Sequence, residues 1–367
     1  MKNFLIGFII VISLIAIGAW TVGRRTDGLA RNPADPLARS TVSASGTSGL
    51  PILAPSMPEF TGISTWIDSG PITASALKGK VVLVDFWTYS CINCIRTLPY
   101  TTSWQEKYKD KGFTIVGVHT PEFAFEKVEA NVRQAVDRFK ITYPVAMDNA
   151  YGTWNAYGNR YWPAEYLFDA QGRLRHVHFG EGEYDKTEQA IQALLKEAGQ
   201  QADMAVTAMA GNDLGKVASP ETYLGYARAE YLGSPEPVAR NAPGRYTIAK
   251  APALNRFYFG GEWIDEAERA VSGKDAALVY KYSASQANLV MSGNGDKRRV
   301  EISLDGQPVP ENFRGADVRI ADDGKTYIDV SDERLYVLTD THGVYGPHTL
   351  QLRFLDPSTA AYAFTFG

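Results

Sequence analysis

The sequence is poor in cysteine. Cys91 and Cys94 are its only two cysteines in 367 residues, and two residues separate them. A structural zinc site needs four Cys or His ligands, so this pair cannot close one alone. The chain has five histidines: His119, His176, His178, His342 and His348. None of them forms a pair at the spacing of a helical metal site. The sequence therefore predicts no metal site and no cofactor, and we interpret His176 and His178 as ordinary residues sharing one strand face.

Basic residues are not clustered. The net charge is -4, and the longest Lys/Arg run is KRR at 297–299. Binding to nucleic acid is therefore not expected. With 45% hydrophobic and 21% charged residues the chain can bury large cores, and 367 residues exceed one typical domain. The composition predicts a well-packed protein of two domains.

A long uncharged run lies near the beginning of the sequence. Phe4 to Gly23 is an uncharged run of 20 residues, long enough for a helix to cross a hydrocarbon core of about 30 Å. We interpret it as a single transmembrane anchor, residues 1–23. Cleavage as a signal peptide near Ala16 and Gly18 is the alternative, and either one exports the rest of the chain. No cysteine lies near residue 20, which excludes a lipid-anchored lipoprotein.

Residues 24–57 contain almost no aromatic side chains and are rich in Ser, Thr, Gly, Pro and Ala. This composition is typical of a flexible linker. An exported chain meets an oxidising compartment, where a protein with no cysteines beyond one pair avoids mispairing.

The cysteine pair follows an apolar run. Val81–Trp87 predicts a buried strand, residues 88–90 a turn, and the chain from Cys91 onward a helix. A cysteine at the first turn of a helix meets free N–H groups and the positive end of the dipole, which favour the reactive thiolate. A thiol one turn later can attack the mixed disulfide formed by the first. We predict Cys91 as the nucleophile and Cys94 as the resolving thiol.

Two other interpretations of the pair remain open. A purely structural disulfide closing so short a loop would restrict little chain entropy and stabilise little. A thiol peroxidase would use Thr88, three residues before Cys91, to hold a peroxide. The proline expected four residues before that threonine is replaced by Val84, so half of such a pocket is missing.

The motif DFWTYSCINC resembles the active-site strand and helix of thioredoxin. From about residue 58 the chain is similar to the thioredoxin-like, extracytoplasmic part of DipZ-type proteins, a TlpA-like branch. The shared runs are long: FWTYSCINCIRTLPY, GVHTPEFAFEKV, ITYPVAMDN, WNAYGNRYWPAEYLFDAQGR, HFGEGEYDKTE, SPETYLGYARAE, HTLQL and YAFTFG. The sequence departs from thioredoxin in having CINC in place of CGPC and Ser90 in place of tryptophan.

The resemblance implies further site residues. Asp85 matches the buried acid that exchanges a proton with the resolving thiol, and burial beside apolar groups would suit it to that task. An ordinary structural role for this carboxyl is the alternative. Pro163 matches the cis-proline that faces the CxxC motif. Tyr89 and Trp162 would flank the disulfide and contact a client chain, although aromatic residues are more often core.

The resemblance also implies partners. It favours a protein that reduces oxidised client proteins. DipZ-type proteins carry a multi-span, electron-conducting portion that this sequence lacks, so the resemblance implies recharging by a separate CcdA-like or DsbD-like membrane donor. The C-terminal half resembles a carbohydrate-binding module, a fold likeness that does not establish a sugar ligand. Trp263 and Tyr345 could stack on a sugar, although Trp263 fits the core better. A docking surface for a redox partner, or a spacer, is the favoured role of this half. A glycan- or partner-binding protein with an incidental redox domain is therefore an alternative function.

The order of elements predicts an α/β thioredoxin-like domain at 58–202, a linker at 203–218 and an all-β jelly-roll-like sandwich at 219–367. Strands are expected at 81–87, 114–119, 164–168 and 174–179, with a hairpin turn at 169–172. Helices are expected from Cys91 to Lys109, at 123–140 and at 185–198. Residues 120–163 form an insertion relative to a minimal thioredoxin. In the second half, the predicted strands are ALVYKYSA, RRVEISLDG, TYIDVSD, RLYVLTD, HTLQLRF and YAFTFG.

Overall fold

The computed structural model describes residues 49–209 and 216–367. The predicted anchor at 1–23 and most of the predicted linker at 24–57 lie outside these residues. Among the helices that the structure describes, none combines the length and the apolar character needed to cross a bilayer.

The first half contains a six-stranded sheet in the order β1-β4-β3-β2-β5-β6. Its strands are β1 (Thr65–Ile67), β2 (Val81–Trp87), β3 (Phe113–His119), β4 (Val145–Met147), β5 (Ala164–Phe168) and β6 (Leu174–Phe179). Strands β2, β3 and β4 run parallel, whereas β1, β5 and β6 pair antiparallel to their neighbours. The four predicted strands are confirmed, and so is the turn at 169–172, where the Gly172 amide bonds the Asp169 carbonyl at 2.8 Å.

Four helices flank this sheet: α1 (Ile92–Tyr108), α2 (Glu129–Phe139), α3 (Gly152–Ala156) and α4 (Tyr184–Glu197). The prediction of one continuous helix over 123–140 was wrong. Residues Ala124–Lys127 form a 3-10 helix, and Val128 then adopts an extended conformation before α2 begins. Val128 is also the apolar position that fails to pack, since 47% of it is exposed.

Strand β2 lies inside the sheet, between β3 and β5, and all seven of its side chains are buried. Val81, Leu83 and Trp87 pack into the same cluster as Cys94 and the apolar faces of α1 and α4. The alternate residues pack into a second cluster on the opposite face. Asp85 lies on the same face of β2 as Val81, Leu83 and Trp87, because strand residues two apart point the same way. This is the face that packs against Cys94.

The second half consists of two antiparallel sheets. One has the order β17-β12-β19-β10-β9-β8 with β7 beside β19, and the other has the order β11-β18-β13-β16-β15 with β14 beside β13. The strands are β7 (Thr222–Tyr223), β8 (Pro243–Tyr246), β9 (Arg256–Asp265), β10 (Ala270–Ser272), β11 (Ala277–Ala284), β12 (Gln286–Ser292), β13 (Arg298–Leu304), β14 (Gln307–Pro308), β15 (Arg319–Ile320), β16 (Thr326–Val330), β17 (Arg334–Asp340), β18 (Gly346–Phe354) and β19 (Ala360–Phe366). Each of the six predicted runs overlaps one strand, namely β11, β13, β16, β17, β18 and β19, and the other seven strands were not predicted.

Residues of both sheets share one buried cluster, so the sheets face each other as a sandwich. Trp263 belongs to this cluster and is fully buried, and its indole N–H donates to the carbonyls of Gly260 and Ala277. It is therefore a core residue and presents no face to a sugar. Tyr345 is only partly exposed, and the Lys216 ammonium lies 5.7 Å from the centre of its ring.

The two halves share a continuous interface. Sandwich residues Val290, Leu335 and Tyr362 belong to the same buried cluster as the active-site helix. The rings of Phe123 and Phe125 contact the ring of Tyr362, with centroid distances of 5.3 and 4.8 Å. The Asn131 amide donates to the Glu333 carboxylate at 2.9 Å. The sandwich therefore packs against the loop and helix that follow β3.

Candidate active site around the cysteine pair

The cysteine pair lies where β2 ends and α1 begins. Cys91 is the N-terminal cap of α1, and its Sγ accepts a hydrogen bond from the Cys94 amide at 3.4 Å. Both residues are free thiols; Cys91 is partly exposed, whereas Cys94 is buried. A client disulfide can thus reach the first sulfur but not the second.

The Cys94 thiol is held in its protonated form. Burial, followed by the hydrogen bond and charge of the neighbouring Cys91 sulfur, raises the pKa of Cys94 well above its usual value. Because only a thiolate attacks a disulfide, this sulfur must lose its proton to a base at the moment of resolution.

Asp85 supplies a buried carboxyl next to this thiol. It is fully buried, and burial raises its pKa from 3.8 to about 7. Its Oδ1 has no hydrogen-bond partner among the described residues. A carboxylate with a pKa near neutrality and a free oxygen is suited to take a proton from a thiol.

Glu165 is a second buried acid, which the sequence analysis missed. It stands directly opposite Asp85 in the antiparallel register of β2 and β5. Burial first, and the charge of Asp85 second, raise its pKa to about 8. The Thr187 hydroxyl donates to its Oε2 at 3.0 Å. The signal available in the sequence was a charged residue inside the apolar strand AEYLF, two positions after Pro163.

The remaining predicted site residues lie in the turn before α1 and in the loop that leads into β5. The Trp162–Pro163 peptide bond is cis, and the Trp162 indole donates to the Thr120 carbonyl at 3.1 Å. Tyr89 is 5% exposed and stacks on His119, with the ring centroids 5.7 Å apart. Trp162 is partly exposed, so it is better placed than Tyr89 to contact a client. The client-binding role of both residues stays a prediction.

Thr88, the threonine of the peroxidase alternative, is fully buried. Its hydroxyl is 3.3 Å from Nε2 of His119, a hydrogen-bond distance. That side chain is therefore engaged in the core beneath the active-site turn. Within the described ranges, no group of three or more His, Cys, Asp or Glu side chains could hold a metal ion.

Glu126 is a third buried acid and fixes Ser90, the residue before Cys91. Its Oε1 accepts hydrogen bonds from the Ser90 hydroxyl at 2.6 Å and the Ser90 amide at 3.3 Å. Its Oε2 accepts from the amides of Glu122 and Phe123. Burial, followed by the charge of Glu122, raises the pKa of Glu126 to about 7. One side chain thus ties the turn before Cys91 to the loop after β3.

The sandwich holds this loop in turn. Glu122 accepts hydrogen bonds from the Tyr223 hydroxyl at 2.6 Å and from the Arg228 guanidinium at 2.8 Å. Residues Phe123 and Phe125 pack on Tyr362 as described above. A continuous series of contacts therefore runs from the sandwich, through Glu122 and Glu126, to Ser90 beside the nucleophile.

Replacing Glu126 with alanine should destabilise the protein strongly. The Glu126→Ala change leaves four donors without their acceptor, and we expect the free energy of unfolding to fall by about 2–4 kcal/mol. Urea denaturation followed by tryptophan fluorescence measures it. The control is Glu129→Ala, because Glu129 is half-exposed and pairs with Arg133 on the surface. That change should cost at most about 1 kcal/mol. Equal losses in the two variants would show that the Glu126 contacts are not structural.

Two family models match the chain. The model described as Redoxin matches residues 54–195, and the model described as Thioredoxin like C-terminal domain matches residues 219–367. Protein DipZ of Mycobacterium tuberculosis is 40% identical over 258 residues, which cover 68% of this chain and 36% of that protein. The chain thus spans about a third of the length of this relative.

Thiol-disulfide oxidoreductase YkuV of Bacillus subtilis is 32% identical over 142 residues, covering 38% of this chain and 95% of the relative. A solved structure described as a thioredoxin-like protein in the oxidized form matches at 31% identity and a TM-score of 0.37, covering 39% of this chain and 97% of that one. The chain belongs to the thioredoxin-like thiol-disulfide oxidoreductases. Residues 54–195 form its redoxin domain, and residues 219–367 form its thioredoxin-like C-terminal domain.

Proposed function

We propose that this protein is an exported, membrane-anchored thiol-disulfide oxidoreductase that reduces the disulfides of client proteins. The observation that carries the proposal is the asymmetry of the cysteine pair: Cys91 is partly exposed at the start of α1, whereas Cys94 is buried on the same side of the sheet as Asp85. Attack by an accessible thiolate and resolution by a buried thiol require this arrangement.

The reaction has two steps. The Cys91 thiolate attacks one sulfur of the client disulfide, which breaks the client S–S bond, forms a mixed disulfide and releases the other client sulfur as a thiolate. Asp85 then takes the proton of Cys94, and the Cys94 sulfur attacks Cys91. The second client sulfur leaves as a thiolate, and both client thiolates take protons from solvent. Two electrons have passed from the cysteine pair to the client, and a Cys91–Cys94 disulfide remains.

Location and electron supply are parts of the same proposal. The uncharged run Phe4–Gly23 would anchor the chain and export the domains that follow. A single span cannot conduct electrons, so the oxidised pair would be recharged by a CcdA-like or DsbD-like membrane protein.

The sandwich is proposed as a support for the redox site and a surface for partner proteins. Its contacts with Glu122, Phe123 and Phe125 hold the loop that reaches Ser90. A jelly-roll strand arrangement and a glycan ligand remain proposals from the resemblance, and the burial of Trp263 removes one of the two aromatic residues suggested for a sugar.

Insulin reduction by the full-length protein tests the proposal. With dithiothreitol as electron source, the protein should accelerate precipitation of the insulin B chain, and the Cys91→Ser variant should not. A midpoint potential closer to the value of about −270 mV for thioredoxin than to about −120 mV for DsbA would identify a reductant. Rapid peroxide consumption without insulin reduction would select the peroxidase. Retention on a polysaccharide without insulin reduction would select the glycan-binding protein.

A further inference from the structure

The proton that Asp85 accepts has to leave a closed site. Asp85 is 1% exposed, and every side chain of its strand is buried. Each turnover places one proton on this carboxyl, and each recharging of the cysteine pair returns one to Cys94. A route for protons between Asp85 and solvent is therefore needed for repeated turnover.

A series of polar side chains leads from Asp85 to the surface. Glu165 stands opposite Asp85, and paired residues in an antiparallel ladder have Cβ atoms about 4.5–5.5 Å apart on one face. The Thr187 hydroxyl on α4 lies 3.0 Å from Oε2 of Glu165 and 3.2 Å from Nε2 of His176 on β6. His176 is partly exposed. The strands β2, β5 and β6 and the helix α4 thus bring these four groups together.

We propose that Glu165, Thr187 and His176 form a proton relay between Asp85 and solvent. The inference rests on the proposed function, in which Asp85 is the base that deprotonates Cys94. The three side chains act through Asp85 and do not touch the sulfurs, so they are positioning residues for proton transfer.

The hydrogen-bonding capacity of each member suits this role. Oε1 of Glu165 and Oδ1 of Asp85 are buried and have no partner among the described residues, so a proton or a bridging water can join them. A threonine hydroxyl donates one hydrogen bond and accepts others. It can therefore take a proton from Glu165 while giving its own to Nε2 of His176, and rotation of the hydroxyl resets it. The same sequence in reverse carries a proton inward.

The pKa shifts of Asp85, Glu165 and His176 are compatible with proton exchange along the relay. Burial raises the pKa of Asp85 to about 7 and of Glu165 to about 8, so the two carboxyls hold exchangeable protons near neutrality. Burial, and then the neighbouring His178, lower the pKa of His176, so its imidazole is neutral near pH 7 and releases to solvent a proton that it receives. The other titratable groups that influence these three are Cys94, Tyr143, Tyr184 and Glu183. The two tyrosine hydroxyls lie within hydrogen-bond distance of threonines on α1.

His178 is the other histidine on this face of β6. It stands directly opposite Glu165 in the register of β5 with β6, and its Nδ1 is 3.9 Å from the Glu183 carboxylate. Its Nε2 has no partner among the described residues. Because His178 faces Glu165, the matched control is His342, an exposed histidine of the sandwich that lies beside Asp340.

The experiment separates the two chemical steps. The reduced full-length protein is mixed with excess 5,5′-dithiobis(2-nitrobenzoate). Attack by Cys91 releases the first thionitrobenzoate, and closure by Cys94 releases the second. At about pH 6 the carboxyl pair begins protonated and must lose a proton before Asp85 can act as a base. We expect Thr187→Val and His176→Ala to slow the second release about tenfold or more and to leave the first unchanged.

Rescue distinguishes proton transfer from structural damage. Thr187→Ser keeps the hydroxyl and should retain the rate of the second release, and added imidazole should restore the His176→Ala rate in proportion to its concentration. His342→Ala should resemble the parent. If both relay variants close as fast as the parent, or if imidazole leaves the His176→Ala rate unchanged, the relay is wrong. Absence of any release in the parent protein would instead overturn the proposed function.

Discussion

The Cys94→Ser variant is expected to accumulate on client proteins as stable mixed disulfides, and the Cys91→Ser variant is expected to accumulate on none. The exposed sulfur of Cys91 forms the mixed disulfide, and only the buried sulfur of Cys94 can resolve it. Without a resolving thiol the complex persists until an external thiol attacks it. Reductase turnover should fall at least about 1000-fold in either variant, because each lacks one of two sulfurs that act as a unit.

Non-reducing electrophoresis of the exported protein, followed by mass spectrometry of the captured partners, measures this outcome. The Cys91→Ser/Cys94→Ser double variant is the matched control for non-covalent association. Partners captured by Cys91→Ser and absent from Cys94→Ser would reverse the assignment of nucleophile and resolving thiol.

The Asp85→Asn variant should form mixed disulfides at the normal rate and resolve them slowly. An amide cannot accept the Cys94 proton, and loss of a general base costs about 100- to 10,000-fold in the step that it serves. Stopped-flow measurement of the two thionitrobenzoate releases separates attack from resolution. Asp265→Asn is a matched control, since Asp265 is a fully buried carboxyl of the sandwich whose pKa burial also raises to about 7. That variant should resolve the mixed disulfide normally.

The stability of the same variants shows whether the carboxyls ionise as described. A buried acid whose folded pKa is raised contributes stability that is complete below its unfolded pKa and is lost as pH rises through its folded pKa. For Asp85 this loss spans the interval from 3.8 to about 7, and amounts to about 1.4 kcal/mol per pH unit at most. Urea denaturation over this range should give a shallower pH dependence for Asp85→Asn and for Asp265→Asn than for the parent. An unchanged slope in Asp85→Asn would show that its carboxyl is not protonated on folding.

Local sequence patterns were sufficient for the elements that carry the cysteines. The continuous apolar run of β2 requires a strand buried on both faces, and the turn that follows places Cys91 at a helix start. Short apolar runs between turn residues located six of the thirteen sandwich strands, whereas long strands such as β9 and β12 were not predicted.

Cross-strand and cross-domain neighbours were beyond what the sequence could show. Glu165 lies 80 positions from Asp85 in the chain, and only the register of β2 with β5 makes them neighbours. The predicted helix over 123–140 included Glu126, whereas its side chain accepts four hydrogen bonds, two of them from the amides of Glu122 and Phe123 at the start of the 3-10 helix. Phe125 matches the apolar spacing of a helix over 123–140, but it is buried because it packs against Tyr362 of the sandwich. The spacing alone cannot identify that contact.

Alkylation of the reduced protein with iodoacetamide, mapped by mass spectrometry, tests the central claim most directly. The partly exposed Cys91 should be the first residue modified. The buried, protonated Cys94 should stay unmodified until a denaturant unfolds the chain. Modification of Cys94 in the folded protein at a rate equal to or above that of Cys91 would contradict the division of roles between the two sulfurs.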